Sequence, residues 1–295
     1  MFRNRTRGKE ALTAKWHGNA HPVSLGIGLI VLGLGAAAVA LLGPLGFGVI
    51  EYHASSGAIE QIRGGDIAAL GLVAPVSILA GILALREHIA GPVLALGPAA
   101  YALYTYVQLA LGGDFRRYDG TSEAFFPLFI ALFILAALVI FQSWAVVNPL
   151  ALPPTSRRTD LSIGIFFFVV ALFLLGGLHL PGLMDVMGGD PTSTEYLADP
   201  GVFWLVKFMD LGIVVPALIA IGIGVIRNLP WAHKAKYAAT GWFALLGASV
   251  AGMAIVMQIE NDPAASWANT IAFGVFALIA LAIAVVVYVP LFRTR

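Results

Sequence analysis

Cysteine is absent from the 295-residue chain, which excludes disulfides, thiolate metal sites, iron–sulfur clusters and cysteine nucleophiles. Charge is scarce as well. Asp, Glu, Lys and Arg make up 11% of the residues, where soluble domains carry about a quarter. So little charge cannot clothe a water-solvated surface. No Gly-rich phosphate loop, zinc-protease helix motif or nucleophile elbow occurs, so the common signatures of nucleotide and hydrolase chemistry are missing. No sequence feature points to catalysis or to a nucleic-acid partner.

What the chain has instead is apolar length. Hydrophobic residues reach 59% and the mean hydropathy is +0.89. Runs of about twenty apolar residues recur from end to end, the mark of membrane-spanning helices. Eight are drawn: 23–49, 67–85, 91–112, 125–147, 161–180, 201–226, 237–259 and 267–292. The expected fold class is therefore all-α, a polytopic membrane protein with eight transmembrane helices. A basic tail over residues 1–22 precedes the first span and reads as uncleaved, because a secretory signal has a shorter apolar core.

Loop charge orients the chain. With the N-terminus in the cytoplasm, thirteen of the 17 Lys and Arg residues fall inside, Arg63, Arg116 and Arg117 fall outside, and Lys207 lies within a span. The positive-inside rule then places both termini in the cytoplasm of a plasma-membrane protein. The outer side is acidic, including Glu51, Glu60, Asp66, Glu195 and Glu260, as orientation alone allows.

An internal repeat organises the spans. Leu70–Arg86 (LGLVAPVSILAGILALR) and Leu211–Arg227 (LGIVVPALIAIGIGVIR) match at a shift of 141, sharing Gly71/Gly212, Pro75/Pro216 and Arg86/Arg227. VSLGI at Val23–Ile27 resembles LSIGI at Leu161–Ile165 at a shift of 138. Two parallel four-helix repeats are expected, 23–147 and 161–292. They are joined by a cytoplasmic linker over 148–160, followed by a cytoplasmic end at 293–295, and related by a pseudo-two-fold axis along the membrane normal. Pro75 and Pro216 remove the helical donors to the carbonyls of Gly71 and Gly212, and paired breaks of this kind point to a binding site in transporters.

Candidate site residues follow from depth. Lys207 and Asp210 lie three apart inside the sixth span, where each charge costs about 2.5–3.5 kcal/mol unless partnered. Their spacing lets them neutralise each other, and they are expected to face the bundle interior within reach of Tyr104 or Gln108, which share one face of the third span with Tyr101. A cation or proton at Asp210 would make this a substrate-binding site. The eight-helix duplicated plan resembles that of haem A synthase, whose bundles bind haem through intramembrane histidines. Here His17, His21, His53, His88, His179 and His233 all fall in tails, loops or span ends, which disfavours haem, and no cofactor is expected. A copper(I) site could draw on His53, His179, Met184, Met187, Met253 and Met257, although methionine at helical spacing is more often packing.

The leading functional expectation is transport or binding of a small solute or cation between the repeats. The rival is an outward-facing binding or enzymatic protein acting on a lipid or quinone. A third reading is an accessory subunit without its own ligand. Membrane lipids, a small cation or solute, and an oligomer or membrane complex are the expected partners.

Overall fold

The computed structural model describes residues 22–293; the basic tail over 1–21 and residues 294–295 lie outside the described residues. Among the described residues all regular structure is helical, and eight helices are long and apolar enough to cross a membrane. They are α1 (Pro22–Leu42), α2 (Ser56–Leu85), α3 (Ala90–Leu111), α4 (Ser122–Val146), α5 (Arg157–Met187), α6 (Pro200–Ile226), α7 (Pro230–Ile259) and α8 (Trp267–Arg293). Connections 43–55, 112–121, 188–199 and 260–266 meet at one end, here the upper rim, tied by Glu51–Thr121, Ser55–Asp199 and Arg63–Glu260 contacts. The other end, the lower rim, holds 86–89, 147–156 and 227–229.

Several boundaries differ from those drawn on hydropathy. The first span stops at Leu42, because Pro44 cannot continue it and 43–47 form a turn. Helix α2 starts eleven residues early, capped by the Ser55 side chain accepting from the Ala58 N–H. Its first turns carry Glu60, Gln61, Arg63 and Asp66, too polar to register as a span. Helix α5 runs on to Met187, so His179 sits inside the helix rather than at its end. Helix α7 begins at Pro230, so Lys236 is buried within it instead of lying in a loop. Trp242 lies well inside the same helix.

Three helices widen into π turns: α2 at Ala69–Val73, α5 at Phe173–His179 and α6 at Asp210–Val214. Each π turn ends two residues before a proline, Pro75, Pro181 or Pro216. Proline has no N–H and its ring crowds the carbonyl four residues back. Opening the preceding turn to i→i−5 bonding relieves that conflict. The bonds bear this out: Ala74 N–H donates to Ala69 O, Leu180 to Leu175 O, and Val215 to Asp210 O. Gly71, Pro75, Gly212 and Pro216 themselves face outward and are exposed, so the breaks do not open onto the interior.

Packing divides the helices into two groups. Helix α1 lies along the lower half of α2, α2 along α3, α3 along α4, and α4 returns to α1. In the second group α5 lies along the lower half of α6, and α7 along α8. Helices α5 and α8 do not pack along each other as α1 and α4 do, and the stacked rings of Phe166 and Phe276 bridge them. The groups join where α7 crosses α3 and the upper half of α2.

Close crossings depend on glycine, since apolar helices in lipid gain from backbone approach rather than from hydrophobic exclusion. A Cβ at Gly26 would lie 3.0 Å from Gly81 O, and one at Gly164 would lie 3.2 Å from Gly222 O. At the join, a Cβ on Gly64 would run into the Met253 backbone nitrogen, and one on Gly97 would lie 3.0 Å from the Gly241 carbonyl carbon.

Candidate functional site

A cavity of about 480 Å³ lies between the two groups. It begins at the upper rim beside His53, Gly113 and Ser266, and reaches down to Val73, Val214, Phe243 and Phe276. Below it the bundle is filled. Tyr288 Oη donates to Tyr237 O at 2.7 Å, against the close crossing of Gly97 and Gly241. Lower still, the Lys236 ammonium bonds to Asp160 at 2.9 Å and Thr155 at 2.7 Å, all within the protein interior or its edge. Lys234 reaches the Trp144 carbonyl at 2.8 Å and lies over its ring, tying the two groups together at the lower rim.

At the deep end sits Asp210, 6% exposed and the first residue of the α6 π turn. Tyr104 on α3 donates to its Oδ1 at 2.8 Å, and Nε2 of His179 on α5 lies 2.8 Å from its Oδ2. His179 is 2% exposed and closes the last position of the α5 π turn. Two π turns thus aim an acid and an imidazole at each other. Both carboxylate oxygens of Asp210 are satisfied, which is what a buried acid requires. Tyr104 also packs edge-on against Trp242, another wall of the cavity.

The expected Lys207–Asp210 neutralisation is not what forms. The Lys207 ammonium lies 3.5 Å from a Glu195 carboxylate oxygen and 3.5 Å from the centre of the Phe203 ring. The two residues share a helix, but the π turn beginning at Asp210 offers a different partner on a different face. Tyr101, Tyr104, Gln108 and Asp210 all line the cavity; Lys207 does not. Tyr101 is bonded to Ser249 on α7 at 3.1 Å.

The metal candidates are scattered. Met253 and Met257 line the cavity, His53 belongs to the upper rim, and Met184 and Met187 are 66% and 77% exposed on the exterior. Among the described residues no group of three His, Asp or Glu side chains is arranged to hold a metal ion. Gly71, Pro75, Gly212 and Pro216 lie outside the cavity, and their contribution is to set the π turns.

Asp66 is the residue that sequence reasoning passed over. Counted as an outer-loop acid, it is a helical residue 6% exposed on the cavity wall. Its Oδ2 is buried and has no partner. Tyr52 nearby is also buried and its hydroxyl is unpartnered. The sequence did carry a signal. At the shift of 141, Asp66 aligns with Lys207, the one cation placed within a span.

The upper rim over the cavity is held by polar contacts. His53 Nε2 lies 2.5 Å from Glu123 Oε2, and its Nδ1 lies 2.7 Å from Tyr118 O. The Glu123 carboxylate and the Tyr118 carbonyl together hold the imidazole above its ordinary pKa. Ser55 hydroxyl and N–H both bond to Asp199, and the Arg117 guanidinium bonds to Leu197 O at 2.5 Å.

The cavity also opens sideways. Phe173 and Leu178 on α5 and Asn269 on α8 line it and are exposed at the same time. Searches against protein-family models, curated proteins and solved structures returned no match.

Proposed function

We propose that the chain is a plasma-membrane protein, with the upper rim outside the cell, that binds an amphiphilic small molecule taken from the outer leaflet. The charge distribution supports the orientation, since thirteen of the 17 Lys and Arg residues lie toward the lower-rim side of the sequence or in the tails. One observation carries the functional reading. The cavity is walled mainly by aliphatic and aromatic side chains, open both upward and sideways, and blind below, with a few polar groups converging at its deep end. Its volume falls in the range of small-molecule pockets, about 300–1,000 Å³, and its chemistry is the usual mix of apolar wall and sparse polar anchors. The Tyr104–Asp210–His179 set anchors a polar head, and the seam between α5 and α8 admits an apolar tail.

The test is saturable binding of N-phenyl-1-naphthylamine, a neutral hydrophobic fluorophore, to the purified protein in nanodiscs. Binding is read by energy transfer from Trp242, with Trp242→Phe setting the background. Saturable transfer that is lost in Val250→Phe, which fills the cavity, supports the reading. Linear partitioning identical in both proteins overturns it and leaves the accessory-subunit reading.

A second reading, solute transport, is favoured by the likeness of the halves. Besides the matched π turns in α2 and α6, Glu87 and Asn228 share positive φ values of 54° and 56° at the same shift of 141. The crossing pairs Gly26/Gly81 and Gly164/Gly222 also correspond. We read these as a duplicated four-helix unit with its axis along the membrane normal. Transport then requires the floor at Tyr237, Tyr288 and Gly241 to open. Counterflow of the bound probe across sealed vesicles would separate a carrier from a binder.

A further inference from the structure

We infer that the ligand of this cavity carries a positive charge, and that Asp66 is the residue that recognises it. The inference rests on the binding reading above and adds its chemical class. No Lys or Arg side chain lines the cavity, whereas three acids do: Asp66, Glu195 and Asp210. Two of the three are answered within the protein. Glu195 faces Lys207, and Asp210 is bonded by Tyr104 and His179. Asp66 is not. Its Oδ2 is buried and unpartnered, and the nearest basic residue on its own helix, Arg63, is committed to Glu260 at 3.0 Å.

Other buried acids in the structure show what the fold normally provides. Asp160 holds Lys236, and Asp199 takes both the N–H and the hydroxyl of Ser55. A buried carboxylate without a counter-charge is costly, and a cation from outside the chain would supply the charge that this one lacks. The surroundings are tuned to the same sign. Asp66 Oδ2 lies close to Gly43, and the carbonyls of Val39 and Ala40 in the last turn of α1 crowd the same spot. Pro44 removes the helical donor that Ala40 O would have met, and a helix C-terminus is a partially negative end. Tyr52 adds an unpartnered hydroxyl, and Tyr101, Tyr106 and Trp242 offer ring faces of the kind that attract organic cations. An anionic lipid head would meet like charge at Asp66. A hydrophobic organic cation meets a carboxylate, carbonyls and aromatic faces, with apolar walls for its body.

The experiment uses two ions of the same shape and opposite charge, tetraphenylphosphonium and tetraphenylborate, as competitors of the bound naphthylamine in nanodiscs. Each is compared between the wild-type protein and Asp66→Asn, which cancels the unequal affinity of the two ions for lipid. Asp66→Asn is expected to weaken displacement by the phosphonium at least tenfold and to leave or strengthen displacement by the borate. Asp66→Glu keeps the charge and is expected to keep the phosphonium preference, while Asp190→Asn, at an exposed acid outside the cavity, changes it less than twofold. Thermal unfolding of each variant confirms that the bundle is intact, and where Asp66→Asn fails to fold, Asp66→Ser, which removes the charge with a smaller side chain, carries the same comparison. If the naphthylamine binds but both ions respond alike to Asp66→Asn, the charge assignment is overturned and the cavity reading stands. If nothing binds saturably, the cavity reading itself fails.

Discussion

Nε2 of His179 lies 2.8 Å from Oδ2 of Asp210, joining two helices at the points where each opens into a π turn. The contact is buried on both sides, so removing either partner leaves a polar atom in an apolar interior. His179→Ala should cost about 1–3 kcal/mol, and Tyr104→Phe about 1–2 kcal/mol. A double-mutant cycle of Tyr104→Phe with Asp210→Asn, read by unfolding in detergent, should show positive coupling. Lys207→Met should stay within about 1 kcal/mol of wild type, because its partner Glu195 is half exposed and the pair is screened. Equal sensitivity at Lys207 and His179 would contradict this arrangement.

The glycines divide into two classes that a single substitution separates. Gly64→Ala drives a Cβ into the Met253 backbone and should abolish the α2–α7 crossing, seen as loss of monodisperse protein. Gly71→Ala and Gly212→Ala point into open space at negative φ. Each should stabilise by about 0.4–1 kcal/mol through the unfolded chain.

The Lys236–Asp160 pair is nearly sealed from solvent, with side-chain exposures of 1% and 9%. Lys236→Met alone strands the carboxylate and should cost about 3–5 kcal/mol, whereas Lys236→Met with Asp160→Leu should recover most of it. A double variant no better than the single would mean that Thr155 and its loop, rather than the charge, set the cost.

His53 predicts a pH dependence at the upper rim. Its pKa is raised in the folded protein by Glu123 and the Tyr118 carbonyl, so its contribution is full below the unfolded value near 6.5. That contribution is lost as pH rises through the higher folded pKa. The difference in melting temperature between wild type and His53→Gln should therefore be largest in mild acid and shrink toward alkaline pH. A difference that grows with pH would reverse the assignment.

Orientation is open to direct chemistry, because the chain has no cysteine of its own. An impermeant thiol reagent added outside intact cells should label Asp119→Cys and Asp190→Cys, and spare Ser156→Cys and Arg158→Cys. Labelling of the second pair alone would invert the topology.

Apolar length made the eight helices legible, and the Gly–Pro pattern marked α2 and α6 as alike. Depth along α3 and α6 was enough to bring Tyr104 and Asp210 into one neighbourhood. What remained hidden had specific causes. The first turns of α2 are polar, so Asp66 read as loop although a Ser55 cap starts the helix before it. His179 follows a Gly-Gly pair and precedes a proline, features that suggest an end rather than a widened turn. Lys207 finds Glu195 on a short helix, Thr194–Ala198, whose position no periodicity in the spans encodes. Hydropathy reports burial in lipid, not which polar groups meet inside.

The π turns have one more consequence. Each inserts a single residue into an otherwise regular spiral, so the segment above it is out of phase with the segment below by about 100°. Helix α6 therefore carries two independently clocked faces, one keyed to the Gly164–Gly222 crossing below the turn and one to the cavity, which it lines from Val202 to Val214. Deleting Leu211 would return α6 to a single clock and swing Asp210 and Lys207 around the helix together, while leaving the Gly164–Gly222 crossing where it is. The chemistry of the upper half can thus drift in sequence without disturbing the packing beneath it.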